Sequence, residues 1–211
     1  MAYDLEEQEK LDAIKAWWDR YGTLCIVLAF VVLAAIAGWR GWQWYQGHKA
    51  SQAMGYFEAL ERSIEQPGED SVARIKAASE TLRSDFPSSG YTPRAVLLAA
   101  SALAAQGDLD GARQQLEWLL SSDSDAAFHA LARLRLAGVL LQQQQYDQAL
   151  SQLNNPPQAF AGLYADRRGD ILLAQGKKDE ARAAWEEALS ALAADPAAQI
   201  VQLKLESLAG A

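Results

Sequence analysis

An uncharged apolar segment from Tyr21 to Trp39 constrains the fold of this chain more than any other feature of its sequence. It holds nineteen consecutive residues without a charge, between Arg20 and Arg40. As an α-helix, such a segment is about 28 Å long, close to the roughly 30 Å hydrocarbon core of a bilayer. The core helix of a soluble protein is the alternative, but such helices seldom run this far without a polar residue. The segment therefore predicts a transmembrane helix.

Aromatic residues flank the apolar segment at both ends. Five of the seven tryptophans lie there, together with two tyrosines. Indole and phenol rings combine an apolar body with a polar group, so they favour the interface between lipid and water. We predict a lipid-spanning anchor over residues 21–46 whose interface residues are Trp17, Trp18, Tyr21, Trp39, Trp42, Trp44 and Tyr45.

The residues before the anchor do not resemble the basic start of a signal peptide. Residues 1–20 contain six acidic side chains and three basic ones, and the apolar segment is longer than in most signal peptides. We therefore expect an uncleaved anchor. The basic residues on its two sides barely differ in number, but a long C-terminal domain can be translocated regardless of its charge. We expect residues 1–20 to form an acidic cytoplasmic tail and the C-terminal domain to lie outside.

Residues 47–211 are rich in alanine and leucine and are divided by Gly, Pro, Asp and Ser into amphipathic stretches with helical periodicity. Three related turns, Gln106–Ala112, Gln143–Ala149 and Gln175–Ala181, follow one another at spacings of 37 and 32 residues. These spacings bracket the period of about 34 residues of tetratricopeptide repeats. An all-α fold is predicted, with one transmembrane helix followed by a tetratricopeptide-like solenoid of helical hairpins. A non-repetitive helical bundle is the alternative.

The repeat pattern predicts specific roles for its residues. A glycine ends the first helix of each pair, Asp begins the second, and a small Ala lets the two helices approach closely. The second copy has Gln144 in place of glycine and a short second helix cut off by 154–157, so we expect the stack to bend or widen there. Residues 50–66 and 70–84 predict a further, degenerate hairpin, and Asp195-Pro196 predicts the start of a last helix.

Several classes of function are disfavoured. The net charge of −8, with no basic run, argues against nucleic acid as a partner. One cysteine and two histidines make a metal site improbable. The sequence contains no nucleotide-binding loop, zinc-protease motif or nucleophile motif, and its acidic pairs read as solvated charges or helix caps. We expect neither catalysis nor a cofactor.

The sequence pattern favours the interpretation that the repeat domain carries a protein-binding surface. In the repeat template, the first helix of each pair, about 93–106, 130–143 and 163–175, lines a concave face. The residues predicted to line it are Arg94, Leu97, Ser101, Leu134, Gly138, Leu141, Asp166, Asp170 and Leu173. Periodicity does not distinguish a groove from a core, so Leu134, Leu141 and Leu173 could instead pack between helices.

The chain resembles the YfgM family of bacterial inner-membrane proteins over almost its whole length. The resemblance is carried by Glu6–Trp18, Gly38–Gln43, Gly107–Ala112 with Leu116–Trp118, Leu131–Ala137 and Arg168–Gly176. It implies a single-pass protein of the bacterial inner membrane with a cytoplasmic N-terminus and a periplasmic repeat domain over 47–211. It further implies an ancillary subunit of the SecYEG translocon that works with the membrane-anchored chaperone PpiD on secreted client polypeptides.

Two hypotheses follow for the function. In the first, the protein is a non-enzymatic adaptor that links emerging secreted proteins to periplasmic chaperones. In the second, it is a regulatory scaffold, and its acidic tail over 1–19 restrains a soluble signalling regulator in response to the state of the envelope.

Overall fold

A computed structural model describes the backbone of residues 2–66, 68–193 and 195–209. Within these ranges all regular structure is helical, which confirms the predicted all-α class. The helices are α1 (Ala2–Glu65), α2 (Ser71–Asp85), α3 (Tyr91–Ala105), α4 (Leu109–Ser121), α5 (Ala126–Gln142), α6 (Tyr146–Ser151), α7 (Ala161–Ala174), α8 (Lys178–Ala191) and α9 (Ala197–Ala209). A short 3₁₀ helix, Gln158–Phe160, precedes α7. The chain divides into two units, residues 1–51 and 52–211.

The first unit contains the apolar segment. Among the described residues, α1 is the one helix long and apolar enough to cross a membrane. Its apolar side chains project outward, as shown by Phe30 at 73% and Leu33 at 64% exposure. All seven predicted interface aromatics are also exposed. A water-soluble helix would bury such a face, so these exposures fit a candidate transmembrane helix.

The helix does not end where the sequence suggested. The sequence predicted an anchor over 21–46 and a separate hairpin helix over 50–66, but α1 continues through both to Glu65. Gly47 alone costs a helix only about 1 kcal/mol, and no proline follows it before the end of α1. The boundary between anchor and domain at 46/47 therefore stays a prediction, with no helix end to mark it.

In the second unit, the three related turns adopt one geometry. The backbone φ angles of Gly107, Gln144 and Gly176 are +83°, +58° and +79°. At each turn the next residue donates a backbone hydrogen bond to a carbonyl five residues earlier, as between Asp108 and Leu103 at 2.9 Å. This is the Schellman geometry that ends a helix. Gln144 thus keeps the turn of its neighbours although its side chain disfavours a left-handed backbone.

The positions after each turn build the core between paired helices. The small residue is fully buried in all three copies, at Ala112, Ala149 and Ala181. Four residues later, Leu116, Leu153 and Trp185 are no more than 1% exposed. The buried alanines confirm the predicted close approach of the antiparallel helices, and the larger side chains fill the space beyond.

Neighbouring pairs are joined by side-chain hydrogen bonds at the helix ends. Gln143, at the end of α5, donates from Nε2 to Asp110 Oδ1 in the first turn of α4 at 2.9 Å. Gln175, at the end of α7, makes the matching bond to Asp147 of α6 at 3.5 Å. Ser71 of α2 donates to Gln106, at the end of α3, at 2.8 Å. The residue that follows each first helix is therefore a glutamine, and it bonds that helix to the second helix of the preceding pair.

The ends of the second unit follow the sequence closely. The end of α1 and α2 contribute Leu60, Ile75 and Leu82 to the core, in agreement with the degenerate hairpin. At the other end, Ala197 N donates to Asp195 Oδ1 at 2.8 Å, so Asp195 caps the last helix as predicted. The structure also explains the short α6: Asn155 has a φ of +52° and is followed by two prolines.

Candidate protein-binding surface

The residues predicted to line the concave face lie in different surroundings. Arg94, Ser101 and Leu173 are exposed, and Leu134, Gly138, Leu141, Asp166 and Asp170 are half-buried. Leu97, predicted to line the groove, is instead 5% exposed and belongs to the core. Its backbone carbonyl accepts a hydrogen bond from Arg135 of α5.

A cleft of about 330 Å³ opens between α3, α5 and α7. Two of the predicted residues, Ser101 and Gly138, line it together with Arg135, Gln142 and Arg167. The other predicted residues do not line this cleft. Asp166 and Asp170 lie instead beside Lys204 of α9. Ser101 and Gly138 therefore lie together in one cleft of mixed polar and apolar lining, whereas Asp166 and Asp170 are paired within the protein.

Three basic side chains lie at equivalent positions in alternate helices, α5, α7 and α9. We call Arg135, Arg167 and Lys204 the cationic ladder. Arg135 and Arg167 each lie nine residues before the turn residue of their own copy. Lys204 occupies the same place in α9, because it reaches back over 38 and 34 residues to α7, as Arg135 does to α3. Arg135 and Lys204 each bond to the two residues that lie ten and six positions before the preceding turn residue. Arg167 lies beside the residue six positions before its preceding turn, Gly138.

The first and last steps of the ladder are complete. Arg135 Nη1 donates to Leu97 O at 2.6 Å and to Ser101 Oγ at 2.9 Å. Lys204 Nζ donates to Asp166 Oδ1 at 2.7 Å and to Asp170 Oδ1 at 2.6 Å. Bonds of this length to a charged donor are the stronger kind, so both steps tie one helix to the next.

The middle step has a different arrangement. The two corresponding positions hold Leu134 and Gly138, and neither residue has a side-chain acceptor. Arg167 turns to its own helix and donates from Nη1 to Asp170 Oδ2 at 3.3 Å. Its Nε is buried and has no hydrogen-bond partner within the described ranges. A buried donor without an acceptor costs about 1–3 kcal/mol, which makes this step the weakest of the three.

Charge in the cleft is only partly compensated. Both acceptors of Arg135 are neutral, and burial lowers the pKa of Arg135 from its ordinary value. The carboxylate that Arg167 reaches, Asp170, is shared with Lys204. In a protein with a net charge of −8, the cleft is therefore a local basic site. Two guanidinium groups suit recognition of carboxylates by charge-assisted hydrogen bonds.

Arg135, Arg167 and Lys204 were not among the residues predicted from the sequence to line the surface. The signal that identifies two of them is the repeat register, since counting nine residues back from Gln144 and Gly176 gives a basic residue in each copy. Among the described residues, no group of three His, Cys, Asp or Glu side chains could hold a metal ion. The cleft itself offers ionic and hydrogen-bonding groups beside apolar ones.

Comparison with known proteins gives relatives that align from end to end. A family profile described as "Tetratricopeptide repeat-like domain" matches residues 15–210. A protein of Neisseria gonorrhoeae named "Ancillary SecYEG translocon subunit" is 36% identical over 211 residues, covering 99% of this chain and all of the relative. Proteins of the same name from Haemophilus influenzae and Escherichia coli are 30% and 29% identical, over 99% and 96% of this chain and 100% and 96% of their own lengths.

Proposed function

Because this chain belongs to the family of ancillary SecYEG translocon subunits, which carry a tetratricopeptide repeat-like domain, we propose that it is a membrane-anchored, non-catalytic adaptor at the SecYEG translocon. It links emerging secreted proteins to periplasmic chaperones through its helical-repeat domain. The observation that carries this proposal is the alignment with translocon subunits over 99% of the chain, anchor included. A relationship confined to the repeats would support only a generic binding domain.

The proposed location is the bacterial inner membrane, crossed once by the apolar part of α1. The acidic tail lies in the cytoplasm and the repeat domain lies in the periplasm. The exposed apolar face of α1 and the two aromatic belts support the membrane assignment. The orientation rests on the tail being short and the translocated domain being long, since long domains cross the membrane largely regardless of their charge.

The proposed partners are SecYEG, the membrane-anchored chaperone PpiD and the client polypeptide. Anchoring two proteins in one membrane holds their soluble domains close together, which raises the effective concentration of each for the other. Modest affinity at the concave face is then enough for a persistent association. The basic cleft between α3, α5 and α7 supports this role, because it offers polar recognition outside the packed core.

Association with the translocon is tested by co-purification from gently solubilised membranes. The full chain is expected to bring down SecYEG and PpiD. A variant truncated after residue 47 is expected to lose PpiD and clients while it still inserts into the membrane. An unchanged pull-down from the truncated variant would contradict the adaptor function.

The regulatory alternative is separated by exchanging residues 1–20 for an unrelated tail of the same length. An adaptor keeps its periplasmic partners after this exchange, whereas a scaffold loses its cytoplasmic regulator. Topology is tested in parallel by adding protease outside spheroplasts, where we expect the repeat domain to be digested. A domain that stays protected until the membrane is dissolved would overturn the proposed orientation.

A further inference from the structure

An open pocket of about 500 Å³ lies between the last part of α1 and the end of α2. It is lined by Gln52, Gly55, Tyr56 and Ala59 of α1 and by Asp85 and Phe86 at the end of α2. It shares no lining residue with the cleft between α3, α5 and α7. The proposed adaptor function makes no use of this pocket.

The residues that α1 contributes lie on one face of the helix, because they are spaced three, four and seven positions apart. A Cβ placed on Gly55 would meet no heavy atom within 4 Å beyond the neighbouring backbone. The side chain of Ala59 is also small. The face therefore has open space beside the ring of Tyr56, into which a side chain of another molecule can enter.

Two aromatic rings form one wall of the pocket. The ring centroids of Tyr56 and Phe86 lie 5.9 Å apart, with their planes inclined by 39°. Phe86 is 8% exposed and belongs to the core, whereas Tyr56 is 42% exposed. Contact with Phe86 thus supports the Tyr56 ring while much of that ring stays accessible. The face of an aromatic ring attracts cations through its quadrupole.

A carboxylate forms part of the same wall. Asp85 is the one charged residue among the described residues that line the pocket. It is exposed, and its Oδ1 accepts a hydrogen bond from Ser84 Oγ at 2.8 Å. It forms no ion pair with any residue that the structure describes. Its negative charge is therefore available to a cation from outside.

The surroundings of the pocket are also acidic. Residues 52–86 contain seven acidic and four basic side chains. Two of the basic ones have partners elsewhere: Arg62 Nε donates to Glu58 O at 3.3 Å, and Arg83 lies over the ring of Trp118. The local field therefore favours a positively charged ligand.

We propose that this pocket binds the basic side chain of a polypeptide, with the cation of a Lys or Arg residue over the ring of Tyr56 and its N–H groups donating to Asp85. The apolar stem of such a side chain lies along Gly55 and Ala59. An aromatic face beside a carboxylate selects a cation over a neutral group of the same shape. Lipid headgroups also carry ammonium groups, but their phosphate would be repelled by Asp85 and by the acidic surroundings.

This inference goes beyond the proposed function, because it assigns a second binding site with its own ligand class. Peptide binding by the purified protein needs no translocon, so the two proposals can fail separately. Loss of SecYEG co-purification would leave the pocket proposal standing. Absence of charge-dependent peptide binding would remove the pocket proposal and leave the adaptor in place.

The first experiment measures peptide binding to the full chain in an uncharged detergent by fluorescence anisotropy. The probe is a short alanine–serine peptide, blocked at both ends, that carries an uncharged fluorophore and one central arginine. Its control has citrulline in place of arginine, and a second pair compares lysine with acetyl-lysine. We expect the basic peptides to bind about tenfold more tightly than their neutral counterparts, through a cation–π contact and an ion pair together. Equal binding within both pairs would overturn the proposal.

The titration is repeated with Asp85→Asn and with Glu58→Gln. Both variants remove one negative charge, but Glu58 does not line the pocket. Asp85→Asn is expected to lose most of the preference for the basic peptide, and Glu58→Gln to retain it. An equal loss in the two variants would mean that the net charge of the protein attracts the peptide, which would contradict a specific site.

Two further variants test the shape and the ring. Gly55→Leu fills the open space and is expected to abolish the preference. Tyr56→Leu is expected to lower it by a factor of about 2–5, whereas Tyr56→Phe keeps the aromatic face and should preserve it. Thermal unfolding of each variant checks that the fold is kept. A preference that survives both Gly55→Leu and Asp85→Asn would show that the peptide binds elsewhere.

A competition experiment distinguishes the two sources of a cation. Unlabelled arginine peptide is expected to displace the probe, and phosphoethanolamine, the soluble part of a common lipid headgroup, is expected not to displace it at the same concentration. Equal displacement by phosphoethanolamine would overturn the assignment of a polypeptide ligand.

Discussion

The indole ring of Trp185 lies directly against the backbone of Gly169, inside the α7/α8 hairpin. The Trp185 Nε1 donates to the carbonyl of Asp166 at 3.2 Å, and the ring is 1% exposed. A Cβ at residue 169 would overlap the indole ring atoms. Glycine at this position therefore lets the largest side chain of the hairpin enter the core, and the third repeat pair depends on the fit of these two residues.

Gly169→Ala is expected to destabilise the repeat domain by about 1–3 kcal/mol, because the added methyl group forces the indole or α7 to shift. Gly138→Ala is the matched control, also in the interior of a first helix. Its Cβ meets nothing closer than 3.6 Å, so the better helix propensity of alanine should stabilise by about 0.5–1 kcal/mol. Denaturant unfolding of the full chain in detergent measures both. Equal effects would contradict the packing of Trp185 on Gly169.

Gln144→Gly is expected to stabilise the domain by about 0.5–1 kcal/mol. Gln144 has a φ of +58°, a left-handed conformation that costs a side-chain-bearing residue about 1–2 kcal/mol, partly offset by the greater chain entropy of glycine. Gly176→Ala makes the reverse change at a φ of +79° and is expected to lose a similar amount. Thermal unfolding of the two variants provides the measurement. Destabilisation by Gln144→Gly would mean that the glutamine side chain outweighs the backbone strain.

Asp108 is expected to make stability depend on pH. The Lys76 ammonium beside it and the N–H of Gly111 lower the pKa of Asp108 below its ordinary 3.8, against the opposing effect of burial. A carboxyl with a lowered folded-state pKa stabilises the fold above its ordinary pKa, and this contribution is lost as the pH falls through the lower value.

Asp108→Asn keeps a capping oxygen but removes the charge. At pH 7 it should cost no more than about 1 kcal/mol, since the pair with Lys76 is partly exposed. The loss should shrink as the pH falls below 3.8 and disappear once Asp108 is protonated in both states. Asp108→Ala should cost about 1 kcal/mol more across this range, because it also removes the cap. A cost of Asp108→Asn that does not change with pH would contradict the ion pair.

Lys204→Gln is expected to loosen α9. The lysine is the one described partner that ties α9 to both Asp166 and Asp170 of α7, and it lies 5.8 Å from the centroid of the Trp185 ring. Its removal leaves Asp166 without its described cation, whereas Asp170 keeps the ion pair with Arg167, for an expected loss of about 1–2 kcal/mol, less than for a fully buried pair.

Hydrogen exchange of the α9 amides measures the effect of Lys204→Gln, and the exchange should become faster there before it does in α7. Adding Asp166→Asn removes the uncompensated charge and should recover most of the stability. If the double variant is no more stable than Lys204→Gln alone, the role assigned to this charge is incorrect.

The helices and the repeat could be predicted from the sequence because each turn is encoded locally. The residues at 107, 144 and 176 all adopt the left-handed turn, and the alanine five residues later is buried in every copy. The irregularity expected at Gln144 was not found in the turn itself. The backbone hydrogen bonds that Gln143, Gln144 and Gln145 donate to carbonyls of α5, and the packing of the paired helices, override the preference of a single side chain.

The candidate site was predicted only in part. Ser101 and Gly138 were selected and lie together in the cleft, but Leu97 is buried and the ladder cations were not identified. A groove and a core have the same periodicity along one helix, so the sequence does not show which leucines a neighbouring helix covers. The acceptors of Arg135 lie 34 and 38 residues before it, and that distance is bridged only by stacking.

The sequence by itself determined the apolar segment, the helical class and the register of the repeats, since each of these depends on residues within a few turns of one another. The tertiary structure alone decided which side chains of that register are covered and which basic groups find an acceptor. It gave Arg135 and Lys204 their acceptors across the stack, while Arg167 faces Gly138. The reason is that hydrogen bonds and burial depend on distances between helices, which stacking sets.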